Sequence, residues 1–135
     1  MTSKVTYQGN LRTTCEHIKS KANFLTDAPV DNKGKGEAFS PTDIVATALA
    51  SCMLTIIGIK AEQSDFSIVD AYAEVTKTMA TEPRRISKLE VHLYFMQSYT
   101  QKQKKMIEHA AKTCPVHFSL HPDIEKIITF NYKDA

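Results

Sequence analysis

Apolar and polar positions alternate through the first 26 residues, and that pattern gives way to a different one at Ser40. "KVTYQ" alternates, "LRTTCEHI" is rich in β-branched residues and "NFLT" is a short apolar segment, so three short strands are predicted, with Gly9-Asn10 as a turn. "DAPVDNKGKGEAF" then gathers Pro29, Asp31, Asn32, Gly34 and Gly36 into a loop or hairpin tip. In "FSPTDIVATALASCMLTI", Ser40 suits a helix N-cap, Pro41 the first helical position and Asp43 the acid of a capping box. The helix is expected from Pro41 to about Glu62. Its apolar residues occupy nearly every side from Ile44 onward, as in a helix buried all round. A chain of 135 residues has little material to wrap such a helix, which points to a second subunit.

Beyond Gln63-Ser64-Asp65 the period returns to two. "SIVDAYAEVTKTM" places Val69, Ala71, Ala73 and Val75 on one side. "SKLEVHLYF" sets Leu89, Val91, Leu93 and Phe95 against Lys88, Glu90, His92 and Tyr94. Thr81-Glu82-Pro83-Arg84 supplies the turn between them. "TQKQKKMIEHAAKT" reads as a second helix with Met106, Ile107, Ala110 and Ala111 on its apolar face. Pro115 interrupts it and opens a short helix, and "EKIITFNY" closes the chain as a strand. Strands, buried helix, hairpin, helix and strand in that order describe an α+β chain, read as a single domain over residues 1–135.

Composition narrows the class. At 42% hydrophobic and 24% charged residues the chain is ordinary for a soluble protein, and a net charge of +2 calls for no nucleic-acid partner. The densest basic group, "KQKK", has no interleaved aromatic residues and reads as a solvated helix face. No membrane partner is expected: the start has no signal-like apolar core, and the run Ile44–Ile59 contains Thr47, Ser51 and Thr55 and falls short of roughly 18 residues. A cytoplasmic protein is the expectation, in which three cysteines serve as reduced thiols, in catalysis or at a metal.

Two of those cysteines lie in contrasting settings. Cys114 directly precedes Pro115, so a helix starting there puts unpaired N–H groups near its sulfur, which favours thiolate. A structural thiol at a helix junction is the competing reading. Cys52 lies deep in its helix, where apolar burial favours the neutral thiol and an inert core role. To react, it needs a cation from elsewhere, and arginine, always charged and fork-shaped, is the natural one. The chain has three, Arg12, Arg84 and Arg85. Cys114, His117 and His121, with His109 upstream, form an alternative metal set, but no CxxC pair or zinc spacing supports it. No glycine-rich phosphate loop or GxSxG elbow is present, and no cofactor is expected.

Together, "SPTDIVATALASC" and "AAKTCPVHFSL" resemble the two cysteine segments of the OsmC/Ohr family (osmotically inducible protein C and organic hydroperoxide resistance protein), closest to its OsmC-like branch. The order of elements agrees along essentially the whole chain. The resemblance implies an intertwined homodimer and a thiol-dependent peroxidase. Cys52 takes the position that attacks an organic hydroperoxide, and Cys114 the position that closes a disulfide with the resulting sulfenic acid, which an external dithiol reduces. Ile44, Val45, Leu49, Met53 and Ile56 around Cys52 favour organic peroxides. The family pairs an arginine from the N-terminal strands with a glutamate near the start of the cysteine helix. Arg12 is assigned that arginine, and Asp43, also the cap partner of Ser40, stands in for the acid. Arg84 and Arg85 read as surface charge at a hairpin tip. A non-catalytic redox-regulatory or small-molecule-binding role on the same fold is the alternative.

Overall fold

The structure, a computed structural model, describes residues 1–133. They form two compact units, Met1–Val45 and a second from Ala46 onward.

In the first unit, β1 (Ser3–Gly9), β2 (Arg12–His17) and β3 (Asn23–Asp27) make an antiparallel meander in that order. The β1–β2 turn runs through positive φ at Gly9 (84°) and Asn10 (56°), the two residues whose types suit such a turn. The loop after β3 is laced back to the sheet by Asp27 N–H to Phe39 O (3.0 Å) and Ala28 N–H to Leu11 O (3.0 Å), with a single 3-10 turn at Val30–Asn32. Thr26, Asp27 and Ser40 are the buried residues of this unit, whereas Val5, Tyr7, Leu11, Phe24 and Leu25 are exposed. Its strands therefore carry apolar side chains that nothing within the unit covers.

Helix α1 (Pro41–Gln63) opens inside the first unit and runs through the second. Its start is the expected capping box. Ser40 Oγ accepts from Asp43 N–H (3.1 Å), and Asp43 Oδ2 accepts from Ser40 N–H (3.0 Å). Ala46, Leu49, Ala50, Met53, Ile57 and Ala61 form its buried stripe, at the three-and-four spacing of one helix face. By length and mean hydropathy (23 residues; 1.9 over its most apolar stretch), α1 exceeds what its apolar run predicts and could span a membrane. Its buried stripe instead joins a protein core.

The second unit is built on the sheet β4-β5-β6, with β4 at Tyr72–Ala80, β5 at Arg85–Phe95 and β6 at Glu125–Tyr132. β4 starts later than its alternation suggests. Ala71 N–H bonds to Ile68 O (2.9 Å) and Asp70 takes a φ of 75°, so residues before Tyr72 turn instead of pairing. β5 runs antiparallel to β4 and parallel to β6. A parallel neighbour requires a crossover, provided by α2 (Gln101–Ala111) and the short α3 (Pro115–Ser119). Thr100 and Gln103 cap α2 reciprocally. Leu89, Val91, Leu93 and Phe95 of β5 are fully buried, as the alternation predicts, and join the α1 stripe, Tyr99, Cys114 and Ile107, Ala110 and Ala111 of α2. Burying each large side chain contributes about 1.5–3 kcal/mol, so this cluster holds the unit together.

Candidate active site: the Cys52–Cys114 thiol pair

Cys52 lies midway along α1, beside the buried stripe, half-buried and packed against the core. Cys114 reaches the same place from the α2–α3 junction. α2 unwinds through Lys112 N–H to His109 O and Thr113 N–H to Ala110 O, and Thr113 Oγ1 donates to Ala110 O (2.7 Å). Pro115, which has no N–H to lose, then begins α3 at its first position with Cys114 as N-cap. The Cys114 sulfur accepts the His117 backbone N–H at 3.5 Å. All three cysteines are free thiols.

The cap position was expected to favour the Cys114 thiolate, and the structure corrects this. Cys114 is 0% exposed, and burial pushes its thiol above the ordinary value of 9.0. Its hydrogen bond with the Cys52 sulfur acts in the same direction. The His117 and Val116 backbone N–H groups oppose both and are outweighed. A helix of five residues has too small a dipole to reverse that balance. Cys114 thus keeps its proton at neutral pH and faces Cys52 as a thiol.

His117 has a buried Nδ1 without a hydrogen-bond partner, and burial together with the charge of Lys126 lowers its pKa below 6.5. His121 is exposed, and its Nδ1 accepts from Asp123 N–H (3.0 Å). Among the described residues no three His, Cys, Asp or Glu side chains are grouped to hold a metal.

Arg12 and Asp43 both belong to the first unit. The carboxylate that grips the Arg12 guanidinium is Asp27, through Nε to Oδ1 (2.7 Å) and Nη2 to Oδ2 (2.8 Å), with Glu37 Oε1 at 3.6 Å from Nη2. Asp27 is 1% exposed and also accepts the Glu37 backbone N–H (3.1 Å). The hydrogen bonds from Arg12 hold its carboxyl below 3.8, and the same contact raises Arg12. Sequence reasoning missed Asp27. The available signal was the β2–β3 register, which sets Arg12 directly opposite Asp27. Asp43 holds the start of α1. Arg84 and Arg85 are exposed, and Arg85 Nη1 folds back onto Thr81 O and Pro83 O, each at 2.9 Å, tying the turn between β4 and β5.

The family model for OsmC-like protein matches residues 34–128. A solved protein from Psychrobacter arcticus, assigned to the osmotic stress induced and detoxification response, is 54% identical, with a TM-score of 0.93 over 97% of this chain and 96% of that one. The fold is shared at low identity with an organic hydroperoxide resistance protein OsmC from Legionella pneumophila (18% identical, TM-score 0.71, 96% and 94% covered). It is shared as well with an OsmC like protein from Mycoplasma pneumoniae (18% identical, TM-score 0.76, 97% and 94% covered). No curated protein matches the chain. With its family segment spanning both cysteines and its fold shared from end to end, the chain belongs to the OsmC family.

Proposed function

We propose that the protein reduces organic hydroperoxides through Cys52 and Cys114 in a redox stress response. The observation that carries this reading is the meeting of two reduced thiols, one half-buried on α1 and the other fully buried and protonated. Relatives of the same fold named for organic hydroperoxide resistance support it.

The chemistry balances in three steps. The Cys52 thiolate attacks the terminal peroxide oxygen, the O–O bond breaks, and the alkoxide leaves as alcohol after taking one proton. Cys52 is now a sulfenic acid, oxidised by two electrons. Cys114 then gives up its proton, its sulfur bonds to that of Cys52, and the hydroxyl departs as water. An external dithiol finally exchanges with the Cys52–Cys114 disulfide, returning both thiols and leaving as its own disulfide. Arg12 is proposed as the cation that favours the Cys52 thiolate, its planar fork held in one orientation by Asp27.

The working form is proposed to be a homodimer in a reducing compartment, the cytoplasm. Exposed Val5, Tyr7, Phe24 and Leu25 on strands without a core of their own motivate the dimer. Dithiol-driven consumption of cumene hydroperoxide tests the activity. Turnover lost in Cys52→Ser is the expected result. Absence of turnover in the native protein would reject the reading in favour of a binding or regulatory role.

A further inference from the structure

In the proposed cycle Cys114 gives up a proton from a fully buried position, and its own helical turn offers a place for that proton to go. Cys114 is the N-cap of α3 and His117 the third residue of that helix, so the bond from His117 N–H to the Cys114 sulfur holds the two residues together at 3.5 Å. Four covalent bonds join that nitrogen to Nδ1 of the imidazole, which keeps Nδ1 within about 8 Å of the sulfur. Among the described residues, His117 Nδ1 is the one buried side-chain nitrogen or oxygen without a hydrogen-bond partner. Burying such a group unpaired costs stability, so a native fold that keeps one calls for a reason. Neighbouring polar groups are committed elsewhere. Thr113 Oγ1 donates to Ala110 O (2.7 Å), Ser119 Oγ donates to Pro115 O (2.8 Å), and His121 Nδ1 accepts from Asp123 N–H (3.0 Å).

Resting on the peroxidase reading above, we propose that His117 takes the Cys114 proton, through a single bridging water, as the disulfide closes. One water spans up to about 6 Å between its two partners, within the reach set by the helical turn. The proton passes from sulfur to water and from water to Nδ1. The Cys114 sulfur, keeping its electron pair, bonds to the sulfenic sulfur of Cys52, and the S–O bond breaks. The departing hydroxide takes the proton from the imidazolium and leaves as water. Cys114 sulfur is oxidised and the sulfenic sulfur reduced by the same amount. Two features suit His117 to this role. Burial first, and the charge of Lys126 second, lower its pKa below 6.5, so at neutral pH the ring is uncharged and has a lone pair to offer. Lys126, on β6 and donating to Ile124 O at 3.1 Å, also disfavours the imidazolium once formed, so the proton moves on. The other titratable groups of this corner are the two thiols, Cys114 on the same turn and Cys52 on α1.

The test needs no peroxide. In a Cys15→Ser protein, the aromatic disulfide dithionitrobenzoate places one thionitrobenzoate on Cys52 and releases another. Cys114 then displaces the bound one, and absorbance reads each release. The displaced thiolate requires no proton, so the second phase isolates proton loss from Cys114. His117→Gln is expected to slow that phase about a hundredfold at neutral pH, the lower end of general-base assistance, and to leave the first phase unchanged. In the parent protein the second phase should be level through neutral pH and fall below the imidazole pKa, which lies under 6.5. In His117→Gln it should instead climb about tenfold per pH unit until Cys114 ionises above 9.0. Added imidazole should restore part of the rate to His117→Ala. Thermal melting verifies that each variant is folded, and the parent pH profile decides alone if neither is. A second phase in His117→Gln within about twofold of the parent's overturns the proposal. So does a parent profile that climbs with pH throughout, or one that never releases the second equivalent. A native protein that consumes no cumene hydroperoxide rejects the peroxidase reading, while the thiol-release test still decides the role of His117.

Discussion

Cys114 faces Cys52 with its proton in place, held there by complete burial and by the hydrogen bond between the two sulfurs. The two thiols are therefore unequal before any oxidant arrives. A buried neutral thiol is a poor first attacker, which supports the proposed order of attack by the half-buried Cys52 followed by Cys114. Cys114 must then lose its proton as the new S–S bond forms.

That inequality has a pH signature. Because its pKa is raised above 9.0, Cys114 is protonated across the neutral range and gains reactivity only in alkali. Iodoacetamide labelling of the native Cys15→Ser, Cys52→Ser protein is expected to be negligible below pH 9.0 and rapid once urea exposes the thiol. Fast labelling of folded protein at neutral pH would contradict the assignment.

The two cysteines are expected to fail differently. Cys52→Ser should reduce peroxide turnover by about a thousandfold or more, as loss of a nucleophile does. Cys114→Ser should still consume one equivalent of peroxide and accumulate a sulfenic acid on Cys52, trapped with dimedone and located by mass spectrometry. Dimedone labelling of Cys114 in the Cys52→Ser protein would reverse the roles.

Asp27 links the first unit to pH. Its folded pKa lies below 3.8, so its contribution to stability is complete above the unfolded value and is lost as pH falls through the lower folded one. Asp27→Asn is expected to lower stability to urea at neutral pH and to flatten the loss seen in acid. It also frees the Arg12 fork, so peroxide turnover should fall along with it. Unchanged urea midpoints in the variant would show that the pair holds nothing.

The proposed dimer can be measured directly. Sedimentation at micromolar concentration is expected to give twice the mass of the chain, and replacing Tyr7 and Phe24 by aspartate is expected to lower it. A folded monomer in the native protein would remove the argument from exposed side chains.

In the second unit, Leu93→Ala removes a fully buried side chain from the middle of β5. It should cost about 2–5 kcal/mol in urea unfolding, the range for such a cavity.

Periodicity made most of the fold legible. The alternation of Leu89, Val91, Leu93 and Phe95 predicted a half-buried strand, and the Ser40-Pro41-Asp43 signal placed the start of α1 at the residue where it begins. Both are local properties. The parallel pairing of β6 with β5 is not, because "EKIITFNY" fits either direction until α2 and α3 carry the chain across. The same limit applies to the site. Cys52 and Cys114 stand out as candidates in their segments, but the raised pKa of Cys114 depends on how much protein surrounds it. Asp27 is not legible as the partner of Arg12 because the two meet only across the β2–β3 pairing, whereas Asp43 lies close to the cysteine helix in the sequence itself.

The crossover from β5 to β6 also has a consequence in time. A parallel strand cannot pair until the whole connection before it has been synthesised, and that connection carries Cys114. Cys52 emerges on α1 well before the last strand exists to seat α2 and α3. A chain caught during synthesis would have Cys52 without its ordered counterpart, so the proposed disulfide could close only once the final residues of the sheet are in place. On the proposed mechanism, oxidation of a growing chain would then stop at sulfenic acid or proceed to a dead end, and only the finished protein would recycle.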